Sequence, residues 1–230
     1  MVDVILLAAG VGSRAKRDLP KQFIRVSGKP LFIHTIEVVS QVKAIENIIL
    51  AINESYRDIY VELLEKYSIE NVALVAGGQT RQESVLKALE HVQTNEVFIH
   101  EAARPYIVKK DFDSLIEAWE EELGCVVPVI KIPFTVSIGG TYMEAEVERE
   151  SLRNIQLPQL FSTGSLKVSH QRAHAENYDA TEDSMLAFHY GKKVKFIDGR
   201  ESNVKVTTPY DLHIAELTLS HKSQLIEEYK

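Results

Sequence analysis

Leu6-Leu7-Ala8-Ala9-Gly10-Val11-Gly12-Ser13-Arg14-Ala15-Lys16-Arg17-Asp18-Leu19-Pro20-Lys21-Gln22 is the stretch from which the architecture of this chain follows. Val4 to Leu7 is a short apolar run suited to a strand buried on both faces, and Ala8, Ala9, Gly10 and Gly12 then turn the chain without side-chain bulk. Backbone N–H groups in such a turn are free to face an anion. Arg14, Lys16, Arg17 and Lys21 stand in or beside the turn, with Arg25 just beyond, in a chain whose formal net charge is −7. That local excess of cations points to a polyphosphate ligand. Gly10 to Ala15 also satisfies the dinucleotide-binding pattern G-x-G-x-x-G/A, in which a helix opens directly on a pyrophosphate. Pro20 argues against it, because it would interrupt such a helix within about two turns, and no acidic residue closes a second strand roughly 20 residues on.

Outward from this turn, apolar runs rich in β-branched residues alternate with helical patterns. Val4 to Leu7, Asn47 to Ile52, Val72 to Val75, Glu96 to Ile99, Cys125 to Val129, Val194 to Ile197 and Val204 to Val206 read as strands. Between them Pro30 to Val42, Arg57 to Tyr67, Arg81 to His91, Lys110 to Glu122, Gly164 to Glu176, Thr181 to Tyr190 and Pro209 to Glu228 carry apolar residues at helical spacing. This alternation predicts an α/β fold with a Rossmann-like, doubly wound, mostly parallel sheet, whose ligand lies beyond the carboxyl ends of the strands. One segment breaks the pattern. Within 131–152, Thr135 to Ile138 and Thr141 to Val147 flank Gly139-Gly140 and predict a β-hairpin.

Composition sets the outer limits. At 230 residues, 45% hydrophobic and 26% charged, the chain can bury one sizeable core, so one domain over residues 1–230 is expected, with the hairpin as an insertion. A net negative charge with one basic loop does not make a nucleic-acid footprint. Cys125 is the only cysteine and sits among apolar neighbours, which excludes disulfides and thiolate metal sites and predicts a small core residue. No apolar run reaches membrane-spanning length, and the cytoplasm is the expected compartment.

Five motifs then occur in order: Ala8-Ala9-Gly10-x-Gly12-x-Arg14, Leu19-Pro20-Lys21-Gln22-Phe23, Gly77-Gly78-x-x-Arg81-x-x-Ser84-Val85, His100-Glu101-Ala102-Ala103-Arg104-Pro105 and Asn203-Val204-Lys205-Val206-Thr207-Thr208-Pro209-x-Asp211-Leu212. Together they resemble the cytidylyltransferases that act on 2-C-methyl-D-erythritol 4-phosphate and on ribitol 5-phosphate, from residue 2 to residue 217. The resemblance implies the sheet of the nucleotide-diphospho-sugar transferases and transfer of CMP from CTP to a polyol phosphate, with pyrophosphate leaving. It also implies that the hairpin is an arm hooking a second subunit, hence a homodimer.

Both reactants are anions, so positioning and neutralisation of growing charge must dominate such a reaction. By resemblance, Arg14 and Lys21 contact the triphosphate and Lys205 closes the other side of the α-phosphate. Ala8, Ala9, Gly10, Gly12, Gly78, Arg81 and Ser84 are implied in binding the nucleotide. Ser84 also suits a helix face, and Thr80 with Glu83 suits a capping box. Glu101 is implied as the carboxylate for ribose or magnesium, Mg2+ being the expected cofactor. The family pattern has aspartate there, one methylene shorter. His100 reads as a structural hydrogen-bonding residue, since an ionised phosphate needs no base.

The acceptor side carries Arg104, Arg149, Thr181 and Thr207 by resemblance, Arg149 reaching across the dimer. Arg153 rivals Arg149, and Ser202 stands where several relatives have an acid. The methylerythritol enzymes have an Asp-Thr pair after the strand matching Cys125 to Val129 and a threonine before Pro158-Gln159; this chain has Lys131-Ile132 or Phe134-Thr135, and Leu157. That loss and the Thr207-Thr208-Pro209-Tyr210-Asp211-Leu212 ending favour ribitol 5-phosphate, with methylerythritol phosphate the default of the wider family. A nucleotide-binding relative without turnover, or a dinucleotide oxidoreductase, are the competing readings.

Overall fold

The computed structural model describes residues 1–10 and 20–220. Its strands are β1 (Val2–Ala8), β2 (Arg25–Val26), β3 (Lys29–Pro30), β4 (Ile45–Ile52), β5 (Val72–Ala76), β6 (Glu96–Glu101), β7 (Cys125–Lys131), β8 (Ser137–Gly139), β9 (Met143–Glu146), β10 (Arg153–Ile155), β11 (Gln159–Ser162) and β12 (Val194–Asp198). Its helices are α1 (Leu31–Val39), α2 (Arg57–Lys66), α3 (Arg81–Leu89), α4 (Lys109–Glu117), α5 (Thr163–Glu176), α6 (Asp183–His189) and α7 (Pro209–Ser220).

The layering follows from β1. Val4, Leu6 and Ala8 pack with Phe32, Ile33 and Ile36 of α1 and Tyr60 and Leu64 of α2. Ile5, pointing the other way, packs with Val85, Ala88 and Leu89 of α3 and Leu166 of α5. Alternate side chains of a strand face opposite sides, so a run that is apolar throughout is a strand covered by helices on both. Each such side chain contributes about 1.5–3 kcal/mol on burial, so β1 is held from both faces. Cys125 belongs to the α3 and α5 side of this core, as its apolar neighbours indicate, and burial pushes its thiol up to about 12.

The main sheet runs β10-β7-β11-β6-β1-β4-β5, with β12 also on β7. The pairs β1–β4, β1–β6, β4–β5 and β7–β12 are parallel, as the alternation predicts. β11 departs from it, lying antiparallel between β6 and β7, and β10 lies antiparallel on β7. Nothing in Gln159-Leu160-Phe161-Ser162 shows period-two patterning, because Gln159, Leu160 and Phe161 are all buried between two strands.

The expected strand at Val204 to Val206 does not form. Its bond to a neighbouring segment is Val206 N–H to the Ala103 carbonyl, 2.9 Å, while Val204 N–H turns back on Ser202. Val206 is apolar because it joins Leu31, Ala103, Tyr106 and Ala215 in a small core of its own, not because it pairs in a sheet. Helix limits also differ: α4 ends at Glu117, and α6 starts at Asp183 because Glu182 is still extended, leaving Thr181 outside it. β8 and β9 form the predicted hairpin inside 131–152. Its Ile138 and Met143, like Tyr142 at the turn and Phe134 before it, are exposed. No helix among the described residues is long and apolar enough to cross a membrane.

What this arrangement positions is one edge. Gly77 N–H donates to the Ile52 carbonyl at 2.7 Å, and Ala102 N–H to the Leu7 carbonyl at 3.0 Å, so the chain leaves β1, β4, β5 and β6 side by side.

Candidate active site

A cleft of about 980 Å³ opens at that edge, lined by Ala8 to Gly10, Lys21 and Gln22, Asn53 and Glu54, the second glycine turn with the start of α3, Glu101 to Ala103, Lys205 and Thr207. The two glycine turns are in contact. A Cβ on Gly77 would lie 2.4 Å from the Cβ of Ala9, and one on Gly78 would lie 2.2 Å from the Cβ of Glu83, so neither position admits a larger residue without displacement. Ala8 keeps its place on the wall, but its carbonyl accepts from Gln22 Nε2 at 2.7 Å and from the Tyr60 hydroxyl at 3.0 Å. Both lone pairs are thereby used, and this oxygen has none left for a ligand.

Ser84 serves the turn itself. Its hydroxyl donates to the Thr80 carbonyl at 2.9 Å and accepts from Gly78 N–H at 3.0 Å. Thr80 caps α3 by accepting from Glu83 N–H, as expected, while the Glu83 carboxylate reaches Gln79 N–H, one residue before the one a capping box would use. Lys87 also lines the cleft, its ammonium 3.1 Å from the Gly77 carbonyl. Sequence reasoning missed it, although it stands one helical turn after Ser84 and so on the same face.

Glu101 is the charged centre of the wall. Its carboxylate lies 2.8 Å from Lys205 Nζ, 3.3 Å from Arg104 Nε and 3.6 Å from Arg81 Nε. Burial opposes its ionisation, but Lys205, Arg104 and Arg81 outweigh that and hold the carboxyl down to about 2. Arg81 in turn spans Glu101, Glu182 at 2.9 Å and Asp183 at 2.7 Å. Burial works against its charge and the three carboxylates more than compensate, pushing the guanidinium above its ordinary value. Its place in the cleft matches the expectation, but its charge is already committed to protein carboxylates. Asp183 is further held by His170 Nε2 at 3.0 Å, both side chains being buried. Their pairing was not anticipated, since a lone histidine on a helix gives no sign of the acid it will meet.

His100 is buried with Nε2–H on the Arg104 carbonyl at 3.4 Å, and burial, aided by the Arg104 charge, pushes it down to about 4. A neutral, inward imidazole is structural, in line with expectation. Lys21 reaches the rim from the other side, its ammonium 3.1 Å from the Val206 carbonyl. Thr207 lines the cleft and donates its hydroxyl to the Lys205 carbonyl at 3.1 Å. Arg104 is not among the residues lining the cleft, its guanidinium being held on the Glu101 carboxylate. Arg149 and Thr181 are not brought to this cleft: Arg149 lies exposed on the short turn Arg149–Ser151, 3.8 Å from Glu150, and Thr181 is exposed ahead of α6. Gly12 and Arg14 lie outside the described residues.

Among the described residues no group of three or more His, Cys, Asp or Glu side chains could hold a metal ion by itself. Magnesium is commonly held by one or two carboxylates together with substrate phosphates, and Glu101, with Glu54 the other carboxylate lining the cleft, fits that mode only in company with a polyphosphate.

The ending Thr207-Thr208-Pro209-Tyr210-Asp211 has a local explanation. The Asp211 carboxylate accepts from Thr207 N–H and Thr208 N–H at 2.8 and 2.7 Å, while Asp211 N–H donates to the Thr208 hydroxyl at 3.2 Å. It is the reciprocal cap that starts α7, with proline in the first helical position, and so reports a helix start rather than an acceptor.

The family model described as IspD, 2-C-methyl-D-erythritol 4-phosphate cytidylyltransferase, matches residues 2–221. A protein of that name from Geobacillus thermodenitrificans (strain NG80-2) is 34% identical over 223 residues, 96% of this chain and 97% of its own. Another from Bacillus cytotoxicus is 39% identical over 220 residues, 94% of this chain and 96% of its own. Among solved structures, the 4-diphosphocytidyl-2C-methyl-D-erythritol synthase of Anaerococcus prevotii DSM 20548 superposes with a TM-score of 0.85 at 30% identity, covering 96% of this chain and 99% of that one. The 2-C-methyl-D-erythritol 4-phosphate cytidylyltransferase of Thermus thermophilus gives 0.76 at 28%, covering 94% and 98%. These names carry 2-C-methyl-D-erythritol 4-phosphate and give the leaning toward ribitol 5-phosphate no support, and the family sets aside the oxidoreductase reading.

Proposed function

Because this chain belongs to the 2-C-methyl-D-erythritol 4-phosphate cytidylyltransferase family, and is thereby a nucleotidyltransferase, we propose that it transfers CMP from CTP to 2-C-methyl-D-erythritol 4-phosphate. An oxygen of the acceptor phosphate attacks the α-phosphorus, the bond to the β-phosphate breaks, and pyrophosphate leaves. The observation that carries this is the meeting of Lys21 and Lys205, from opposite ends of the chain, at one rim of the cleft. There Lys21 and Lys205 neutralise charge on the α-phosphate as it grows toward the transition state. No side chain need take a proton, because the attacking phosphate is already ionised, and the neutral buried His100 agrees with that.

The base sits against Ala9, Gly10 and Gly78, where contact between the two glycine turns leaves a narrow slot that suits a pyrimidine. Glu101 would hold magnesium brought in on the triphosphate, whose contribution there is neutralisation of phosphate charge. Opening Glu101 to it means relaxing the contact with Lys205, which frees that lysine for the nucleotide. Thr207 borders the acceptor from within the chain, and Arg104, held on Glu101 outside the cleft lining, reaches it only by leaving that carboxylate. Arg149 and Thr181 serve it in a homodimer, Arg149 from the partner's arm, an assignment supported by the exposed apolar side chains of the hairpin and by Arg149 being exposed and outside the lining of its own chain's cleft.

Pyrophosphate release with CTP and magnesium, measured against 2-C-methyl-D-erythritol 4-phosphate, ribitol 5-phosphate and glycerol phosphates, tests the reaction. Turnover with the methylerythritol substrate and CTP is the expected result. Turnover with ribitol 5-phosphate alone would sink the acceptor, and CTP binding without turnover on any of them would mark a relative that has lost the reaction. Mixing Lys21→Ala subunits with Arg149→Ala subunits tests the arm: recovered activity requires sites shared between subunits, and none argues for sites within one chain.

A further inference from the structure

Lys205 belongs to no strand or helix, and the strand that would have fixed it does not form. Something else must hold the segment from Gly199 to Thr207. On the far side, Val206 N–H is tied to Ala103 and Val206 is buried. On the near side Gly199 N–H is tied to Val129 and the Arg200 guanidinium to Asp111 and the Tyr106 carbonyl, while the backbone of Arg200 and Asn203 is held by one side chain, Gln156, which stands between β10 and β11 and is 3% exposed. Its Nε2 donates to the Arg200 carbonyl at 2.8 Å and to the Asn203 carbonyl at 3.3 Å, and its Oε1 accepts from Arg200 N–H at 3.1 Å. The loop closes on this amide so tightly that a Cβ on Gly199 would lie 2.2 Å from Oε1. Asn203 completes the clamp by donating to the carbonyl of the next residue, Leu157, at 2.6 Å.

Gln156 does not line the cleft, and all three side-chain hydrogen bonds go to the loop whose next cleft residue is Lys205. Only a carboxamide offers a donor pair and an acceptor together in that shape; a carboxylate keeps the acceptor and loses both donors. The backbone of Gln156 is itself fixed, N–H to the Pro128 carbonyl at 2.8 Å and carbonyl to Gln159 Nε2 at 3.1 Å. The amide is therefore a rigid post built on the sheet, and the lysine hangs from it two residues beyond Asn203.

We propose that Gln156 is a positioning residue for Lys205, setting where its ammonium stands over the reacting phosphate while touching no substrate itself. The inference rests on the reading of Lys205 as a cation of the α-phosphate.

A double-mutant cycle on the full chain, read by pyrophosphate release, tests it. Gln156→Met keeps the length and removes the three hydrogen bonds. It is expected to lower kcat roughly ten- to a hundredfold, the scale of about 1 Å of misplacement, with the KM for CTP changed less than about threefold. Lys205→Ala alone is expected to lower turnover about 10²- to 10³-fold. In that background Gln156→Met should change almost nothing further, because the group it positions is gone. An equal loss in both backgrounds, or full activity in Gln156→Met alone, overturns the proposal. Asn203→Ala loosens the same loop from another of its ties and enters the same cycle; if Gln156→Met failed to fold, Gln156→Glu, which keeps the acceptor and loses both donors, would take its place and decide the matter. Unimpaired turnover in Lys205→Ala would overturn the reading of the lysine itself, a result distinct from additivity, which would leave that lysine's role standing and remove Gln156 from it.

Discussion

The two walls of the cleft are built by different means. On the base side, the ends of β1, β4, β5 and β6 and the two glycine turns are fixed by backbone hydrogen bonds and by direct backbone contact, such as Gly77 N–H on the Ile52 carbonyl. On the phosphate side, Lys205 rides a loop without regular structure, held by Gln156, Asn203 and the bidentate Arg200–Asp111 pair at 2.7 Å. Where the backbone makes the wall, local sequence suffices to write it. Where side chains from distant elements make it, one substitution far from the cleft can move it.

The largest expected effect falls on the lysines that meet at the rim. Lys21→Ala removes a charge whose ammonium rests on the Val206 carbonyl at the rim, and should cost about 10²- to 10³-fold in turnover with a smaller effect on the unfolding midpoint. Steady-state pyrophosphate release beside a urea titration checks both halves. Unchanged turnover would remove Lys21 from the chemistry.

Next is the joint between the walls. Asp183, on α6, binds Arg81 at the start of α3 and His170 on α5. Asp183→Asn should destabilise by about 3 kcal/mol, the low end for a broken buried pair, because Glu182 and Glu101 remain on Arg81. Burial opposes the charge of Asp183, but Arg81 and then His170 hold its carboxyl down to about 2, below its ordinary 3.8. A carboxyl lowered in the folded state stabilises above its unfolded value, so this contribution is complete above about pH 4 and is lost as pH falls from there to about 2. Denaturant midpoints at pH 7 and pH 3 should therefore differ less in Asp183→Asn than in the native protein.

The base side should yield only to a change that displaces backbone. Gly77→Ala sets a methyl 2.4 Å from the Ala9 Cβ, an overpacking that costs about 1–3 kcal/mol. CTP binding should weaken with it, since the slot between the turns is what shifts. Calorimetric titration with CTP would measure it, and unaltered affinity would place the base elsewhere.

The same division explains what could be read in advance. Leu6 to Gln22 named the strand because an apolar run is a local property, and β1 lies where it was read. The parallel order and the hairpin followed from alternation, whereas the meeting of Lys21 with Lys205 was implied by the family resemblance alone. β11 was hidden because a strand buried on both faces but made of Gln, Leu, Phe and Ser shows neither alternation nor β-branched enrichment. The false strand at Val204 to Val206 had the opposite fault, since Val206 is apolar for a core and not for a ladder. Glu101 was recognised as an acid of the site, yet its three cations come from residues 81, 104 and 205, and no local pattern states that they converge. The acceptor leaning loses one of its two grounds for a similar reason, since the Thr207 to Asp211 ending is accounted for by a helix cap.

The smallest effect is the sharpest control on all of this. Lys29 and Glu37, joining β3 to α1, approach to 2.6 Å, closer than Arg81 and Asp183 at 2.7 Å. Their side chains are 40% and 33% exposed, against 25% and 1%. Distance alone would rank the surface pair first. In water the attraction is screened and the ordering of two long side chains opposes it, so Lys29→Ala should cost below about 1 kcal/mol and less at high salt. In the interior the attraction is unscreened, and what matters more is the charge left behind when one partner goes. A Lys29→Ala loss as large as that of Asp183→Asn, compared by urea midpoints, would mean that contact, not environment, sets the worth of these pairs, and the buried joint at Arg81 would lose its special standing.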